Sequence, residues 1–172
     1  MLSPVRQRQA HPPNFSLPEF RSALGMFATG VTIVTARTAQ GSLVGLTANS
    51  FNSVSMSPPL VLWSLARTAG SMAAFSAGSH YAINILSASQ QDLARQFAAQ
   101  GMDRFANVEF THGTEGAPLI QGAVATFECF NRSQYQEGDH VIFVGEVERC
   151  AFQPGASPLL YHGGKFYAEH PL

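Results

Sequence analysis

The chain has 172 residues, a formal net charge of −1 and only 12% charged side chains. That length bounds it to one domain with a sizeable buried core, and a near-neutral balance with no basic block or stripe argues against nucleic acid as the main partner. A chain this poor in charge is also of the kind that hides part of its surface in an oligomer.

Residues 1–15 carry Arg6, Arg8, Pro4, Pro12 and Pro13 but no apolar h-region. They read as a flexible arm, neither signal peptide nor membrane anchor. No later run approaches transmembrane length, so a soluble, cytoplasmic protein is expected, with 16–172 as its single domain.

Ser16-Leu-Pro-Glu19 is a capping box with Pro just inside the helix start. Phe20, Leu24 and Phe27 follow at helical spacing, Gly30 offers a stop, and the apolar face is expected to pack on a sheet. Val31–Ala36 is a strand by β-branched content, and Ala39–Ser42 is a turn. Leu43–Leu65 then has two apolar ends and an unusual middle, with Thr47, Asn49, Ser50, Asn52, Ser53, Ser55 and Ser57 within eleven residues. Such a density of hydroxyls and amides reads either as a surface loop or as a grip on a polar ligand. Pro58-Pro59 interrupts the ladder there, because neither residue donates a hydrogen bond.

Ala66–Ser71 is a loop leading to a short helix around Met72 and Phe75, closed by Gly78. Tyr81–Leu86 is a strand with one odd polar member, Asn84. Ser89 is placed to cap a helix carrying Leu93 and Phe97, with Gly101 ending it. Ala123–Phe130 and Val141–Val147 are strands joined through the polar stretch Asn131–His140. Pro158–Tyr161 and Lys165–Ala168 form a hairpin across Gly163-Gly164. Many strands, few short helices and no βαβ alternation predict a mainly β protein, a barrel rather than a doubly wound sheet. Cys129 and Cys150 have no metal-like spacing and read as buried free thiols.

Several chemistries are missing. There is no G-x-G-x-x-G after a strand, no P-loop, no H-E-x-x-H, no Cys/His cluster and no nucleophile elbow, so neither a Rossmann or Walker phosphate site nor a metal is indicated. His140 stands out among the histidines because Gly138-Asp-His140 sits at the mouth of a strand, on the barrel rim. Arg67 and Arg104 are the candidate phosphate partners, each able to offer a guanidinium fork.

The run Phe20–Thr35 resembles the opening of the short-chain flavin reductases. Gly45–Ser55 with Pro58–Leu62 is similar to their flavin-gripping segment, and Tyr81–Ser87, Asp103-Arg-Phe105, Gly138-Asp-His140 and Phe143–Val147 match in order. The resemblance spans about residues 18 to 168. It implies an FMN-binding split β-barrel of Greek-key type, usually a homodimer with flavin near the subunit interface. It also implies NADH- or NADPH-dependent reduction of FMN or FAD, with the reduced flavin diffusing to a separate oxygenase.

Carried over, Thr47, Ala48, Asn49 and Ser50 would line the isoalloxazine and ribityl chain, and Ser53, Val54 and Ser55 would reach the flavin through backbone and hydroxyls. The loop from Ala66 and Arg67 to Ser71, with Arg104, would take the phosphate end. His140, the candidate catalytic residue, would lie where nicotinamide stacks on the flavin. Hydride transfer needs no general base, so His140 is read as a positioning group. The absence of an Arg cluster for a 2′-phosphate leans towards NADH. An FMN-retaining electron carrier and a non-enzymatic flavin-binding barrel share this fold and stay open as alternatives.

Overall fold

The structure is a computed structural model and describes residues 11–170. Most of the expected N-terminal arm therefore lies outside the described residues. The central element is a seven-stranded antiparallel sheet. In chain order its members are β2 (Thr32–Arg37), β3 (Leu43–Ala48), β4 (Asn52–Met56), β5 (Pro59–Ala66), β6 (His80–Ile85), β9 (Ala125–Glu137) and β10 (His140–Phe152). They lie in the order β3-β2-β6-β9-β10-β5-β4. The two edge strands, β3 and β4, are consecutive in the chain and are joined through Asn49–Phe51. The sheet thus curls round and stays open where the hydroxyl-rich stretch runs, which is the expected split barrel.

Period-two alternation accounts for burial on both faces. In β2, Val34 and Ala36 point into the barrel interior, while Ile33 points to the outer core. The interior centres on Trp63, fully buried, stacked on Phe143 at 4.7 Å and meeting Phe75 and Tyr81 edge-on at 5.0 and 5.7 Å. Aromatic rings in such offset and edge-on pairs add to the stabilisation from area burial alone. The outer core forms where α3 (Gln91–Ala98) and the strand β11 (Leu159–His162) cover the sheet, through Ala94, Phe97, Ile120 and Leu159. β11 pairs with β12 (Lys165–Ala168) across Gly163-Gly164, and with the short β1 (Thr29–Gly30). A separate pair, β7 (Phe110–His112) and β8 (Pro118–Ile120), closes one end.

Asn84 explains itself in this frame. Its side chain is fully buried, donating to Ile33 O and Thr35 Oγ1 at 3.0 and 3.2 Å and accepting from Ile120 N–H at 2.8 Å. It ties β6 to β2 and β8.

Several local expectations change. The first helix, α1 (Leu17–Gly25), keeps its capping box but ends at Met26 rather than Gly30, so Phe27 lies beyond it. It buries no residue, because the sheet face it would need is already covered by α3 and β11. The helix is tethered by the Gly163 N–H donated to Gly25 O at 2.9 Å. The second helix, α2 (Met72–Ala77), is as expected. The third starts through a 3₁₀ turn whose capping residue is Ser87, not Ser89, and it ends at Ala98, with Ala99 as its cap, before Gly101. The polar stretch Asn131–Glu137 is no loop but the second half of β9, laddered to β10 out to Glu137–His140. Near the hairpin tip both faces of that ribbon meet solvent, so apolar alternation disappears while the backbone bonds persist. Cys129 is buried as expected, but Cys150 is exposed.

Candidate functional site

The open seam of the barrel carries a groove between β3, α3 and the loop after β5. Three local interactions build it. The Thr47 hydroxyl donates to Ala94 O at 2.6 Å, pinning β3 under α3. Arg104 closes the far side, donating from Nη1 to Gly45 O at 2.7 Å and from Nε and Nη2 to Ala99 O at 3.1 and 2.9 Å. Gly45 is needed for the approach, since a Cβ there would lie 2.6 Å from the Phe97 ring. The resulting cavity is about 610 Å³ and is lined by Thr47, Ala66, Gly70, Ser71, Gly101 and Arg104 among others.

Thr47 also borders a neighbouring cavity of about 380 Å³ with Asn49, Tyr161, Gly164 and Phe166. Ser71 and Arg104 border a third of about 270 Å³, with Gly45 and Met102. The three form one trough. Its two larger parts are lined by neutral hydroxyls, amides, small residues and aromatic rings, with Arg104 and Arg95 as cations and no carboxylate.

His140 stands at one end. In the β5–β10 ladder it is the partner of Ala66, and the Arg67 N–H donates to Asp139 O at 2.9 Å, locking the two loops together. Its Nδ1 is 2.7 Å from Asp139 Oδ1. Neighbours within a strand face opposite ways, but Asp139 lies in the turn before β10 and so can reach back. The His140 bond and charge hold the Asp139 carboxyl below the usual carboxylate range. A carboxylate on Nδ1 fixes the ring orientation and leaves Nε2 for a ligand.

The structure brings together Thr47, Asn49, Ala66, Ser71 and Arg104, with His140 at the end of the row. It separates others. Ala48 is buried on the opposite face, in the interior core. Ser50 is occupied by the Ser64 backbone, accepting from its N–H at 2.9 Å and donating to its carbonyl at 3.2 Å. Ser53, Val54 and Ser55 lie on edge strand β4, beside Val61 and Leu60 rather than Ala66. Arg67 is exposed outside the trough. Among the described residues no group of three or more His, Cys, Asp or Glu is placed to hold a metal ion.

Residues 24–170 match the family described as flavin reductase like domain. The chain belongs to that family. It is 48% identical over 147 residues to an FMN reductase (NADH) of Agrobacterium fabrum, covering 86% of this chain and 83% of that one. It is 41% identical over 149 residues to the reductase component of a flavin-dependent trigonelline monooxygenase of Acinetobacter baylyi, covering 87% of this chain but only 48% of that protein. Among solved structures it is similar to an NADH:FAD oxidoreductase of Streptomyces globisporus in complex with NAD and FAD fragments. That likeness has a TM-score of 0.85 and 42% identity, and covers 90% of this chain and 93% of that one.

The trough of this flavin reductase-like domain fits a flavin by its own chemistry. Its main cavity lies within the range of about 300–1,000 Å³ common for cofactor sites. An amphipathic ring system with a polar edge, a hydroxylated chain and an anionic end would meet apolar walls, hydroxyls and a guanidinium in that order. What the sequence did not reveal is the contribution of Tyr161, Gly164 and Phe166, more than a hundred residues from Thr47 in the chain. Only the folded sheet brings that hairpin to the seam.

Proposed function

We propose that this chain is an NADH-dependent flavin reductase that passes a hydride from nicotinamide to FMN or FAD and releases the reduced flavin to a separate oxygenase. The observation that carries the reading is the trough whose two larger parts hold no carboxylate and whose Ala66 is tied, by ladder pairing, to the His140–Asp139 pair. A flavin bound there supplies the ring that accepts the hydride. The protein's own part is placement. Thr47 and Asn49 offer a hydroxyl and an amide to the polar edge, and Ala66 leaves backbone rather than side chain against the ring. Ser71 and Arg104 face the anionic end, where a guanidinium already fixed by two carbonyls needs no reordering. His140, oriented by Asp139, holds the nicotinamide side so that the two rings meet in reactive register. No residue has to remove a proton for that step.

The reading extends to a homodimer. Leu17 and Phe27 are each 74% exposed and Leu24 58%, a contiguous apolar stripe on and just beyond α1. The described residues of one chain leave most of it exposed, and a second copy would cover it.

NADH oxidation measured on flavin-stripped protein tests the proposal. Turnover that rises to saturation with added FMN or FAD is expected. Oxidation independent of added flavin, or no oxidation with either, would refute it.

A further inference from the structure

A further cavity of about 860 Å³ lies on the other side of Gly70 from the flavin trough. Gly70 borders this cavity and two parts of the trough alike, so the spaces meet at that residue. Its floor is the face of α2 that carries Ala73, Ala74 and Ala77, and its lips are the Thr38–Gly41 turn and Glu115. Small side chains leave a flat surface there. Arg37 projects along one wall. Its side chain is seated over two glycines of positive φ: a Cβ at Gly116 would lie 2.8 Å from Cδ, and one at Gly41 would lie 3.4 Å from Nη2. A side chain at Gly116 would displace it, whereas one at Gly41 would only touch the guanidinium.

No carboxylate of the described residues lies within ion-pair range of Arg37, whereas Arg95 and Arg132 each have one. His80, which also lines the cavity, has its Nε2 3.2 Å from Glu148 Oε2 and is thereby engaged. Arg37 is thus a positioned cation without a protein anion, beside a flat wall, at the far end of a trough that passes Ser71 and Arg104.

Building on the flavin reductase reading, we propose that this cavity receives the adenylate half of a flavin dinucleotide, and that Arg37 is a residue setting FAD against FMN. The Arg37 guanidinium offers charge to the adenylate phosphate and a planar face to the base. The alanine face of α2 supplies the surface on which the ring lies, and Glu115 can accept from ribose hydroxyls or the exocyclic amine. FMN, ending at Ser71 and Arg104, would not reach it.

The test uses the full chain and two variants, Arg37→Ala and Ala73→Leu. Ala73 is exposed on α2, so leucine fills the cavity without disturbing the core. Each is expected to raise the KM for FAD by about tenfold, the scale of one lost charge-assisted contact, while the KM values for FMN and NADH stay within about twofold. AMP serves as the direct probe. It should compete with FAD but not with FMN or NADH, and Arg37→Ala should abolish that competition. Equal changes for FMN and FAD, an unmoved FAD KM, or competition between AMP and NADH would each overturn the proposal. If the unsubstituted protein reduces neither flavin, the reductase reading falls and this one with it. If FMN is reduced while the FAD KM ignores both variants, only the adenylate site falls.

Discussion

Asp139 fixes the His140 ring through Nδ1, and that pairing has a definite pH signature. The Asp139 carboxyl is held low by the hydrogen bond and charge of His140, so what this carboxylate contributes is lost as pH falls through that lowered value. His140→Ala should raise the KM for NADH by about tenfold and leave flavin KM within about twofold, as expected where a group binds one partner only. Steady-state kinetics with each substrate varied in turn would show it, and equal effects on both would remove His140 from the nicotinamide side. The two thiols give a second residue-scale expectation. Burial pushes the Cys129 thiol up to about 12 from an ordinary value of 9.0. Its contribution to stability is therefore intact below pH 9 and declines as pH rises towards 12, because the unfolded chain ionises first. A thiol reagent should label Cys150 and spare Cys129 in the native protein, as peptide mapping by mass spectrometry would reveal.

At the scale of elements, the strands were legible and their cross-links were not. Val31–Ala36, Leu60–Leu65 and Tyr81–Leu86 announce themselves by β-branched and apolar content, and each strand lies within a residue or two of that span. Asn84 was visible only as an anomaly. Its partners come from positions 33, 35 and 120, so no local pattern could name them. Arg104 was legible as a lone cation in a cation-poor chain, but not as a clamp on Gly45 O and Ala99 O. The β9 extension was hidden because solvated ribbon and loop have the same composition. Asn84→Ala should cost about 2–3 kcal/mol, since it leaves the Ile120 N–H buried without an acceptor. Gly45→Ala should cost about 1–3 kcal/mol through collision with Phe97. Chemical denaturation measures both, and a loss under 0.5 kcal/mol, the ordinary scatter of surface substitutions, would contradict either account.

For the whole molecule, strand content pointed to a barrel and the family resemblance to a split one, and the hydroxyl-rich stretch marked in the sequence turns out to link the two edge strands. The sequence misplaced α1. An apolar stripe specifies that something covers a helix, not whether the cover belongs to the same chain. With Leu17, Leu24 and Phe27 largely exposed among the described residues, sedimentation should give the mass of two chains. Replacing Leu24 and Phe27 by aspartate should shift it towards one, and a wild-type monomer at micromolar concentration would contradict the homodimer. The central claim is that flavin is taken up, reduced and released, and one stoichiometry tests it. With a small amount of flavin-free protein, excess FMN or FAD and excess NADH under anaerobic conditions, the account predicts that all added flavin loses its absorbance over many turnovers. Reduction that stops at one flavin per chain, or that never begins, would contradict it.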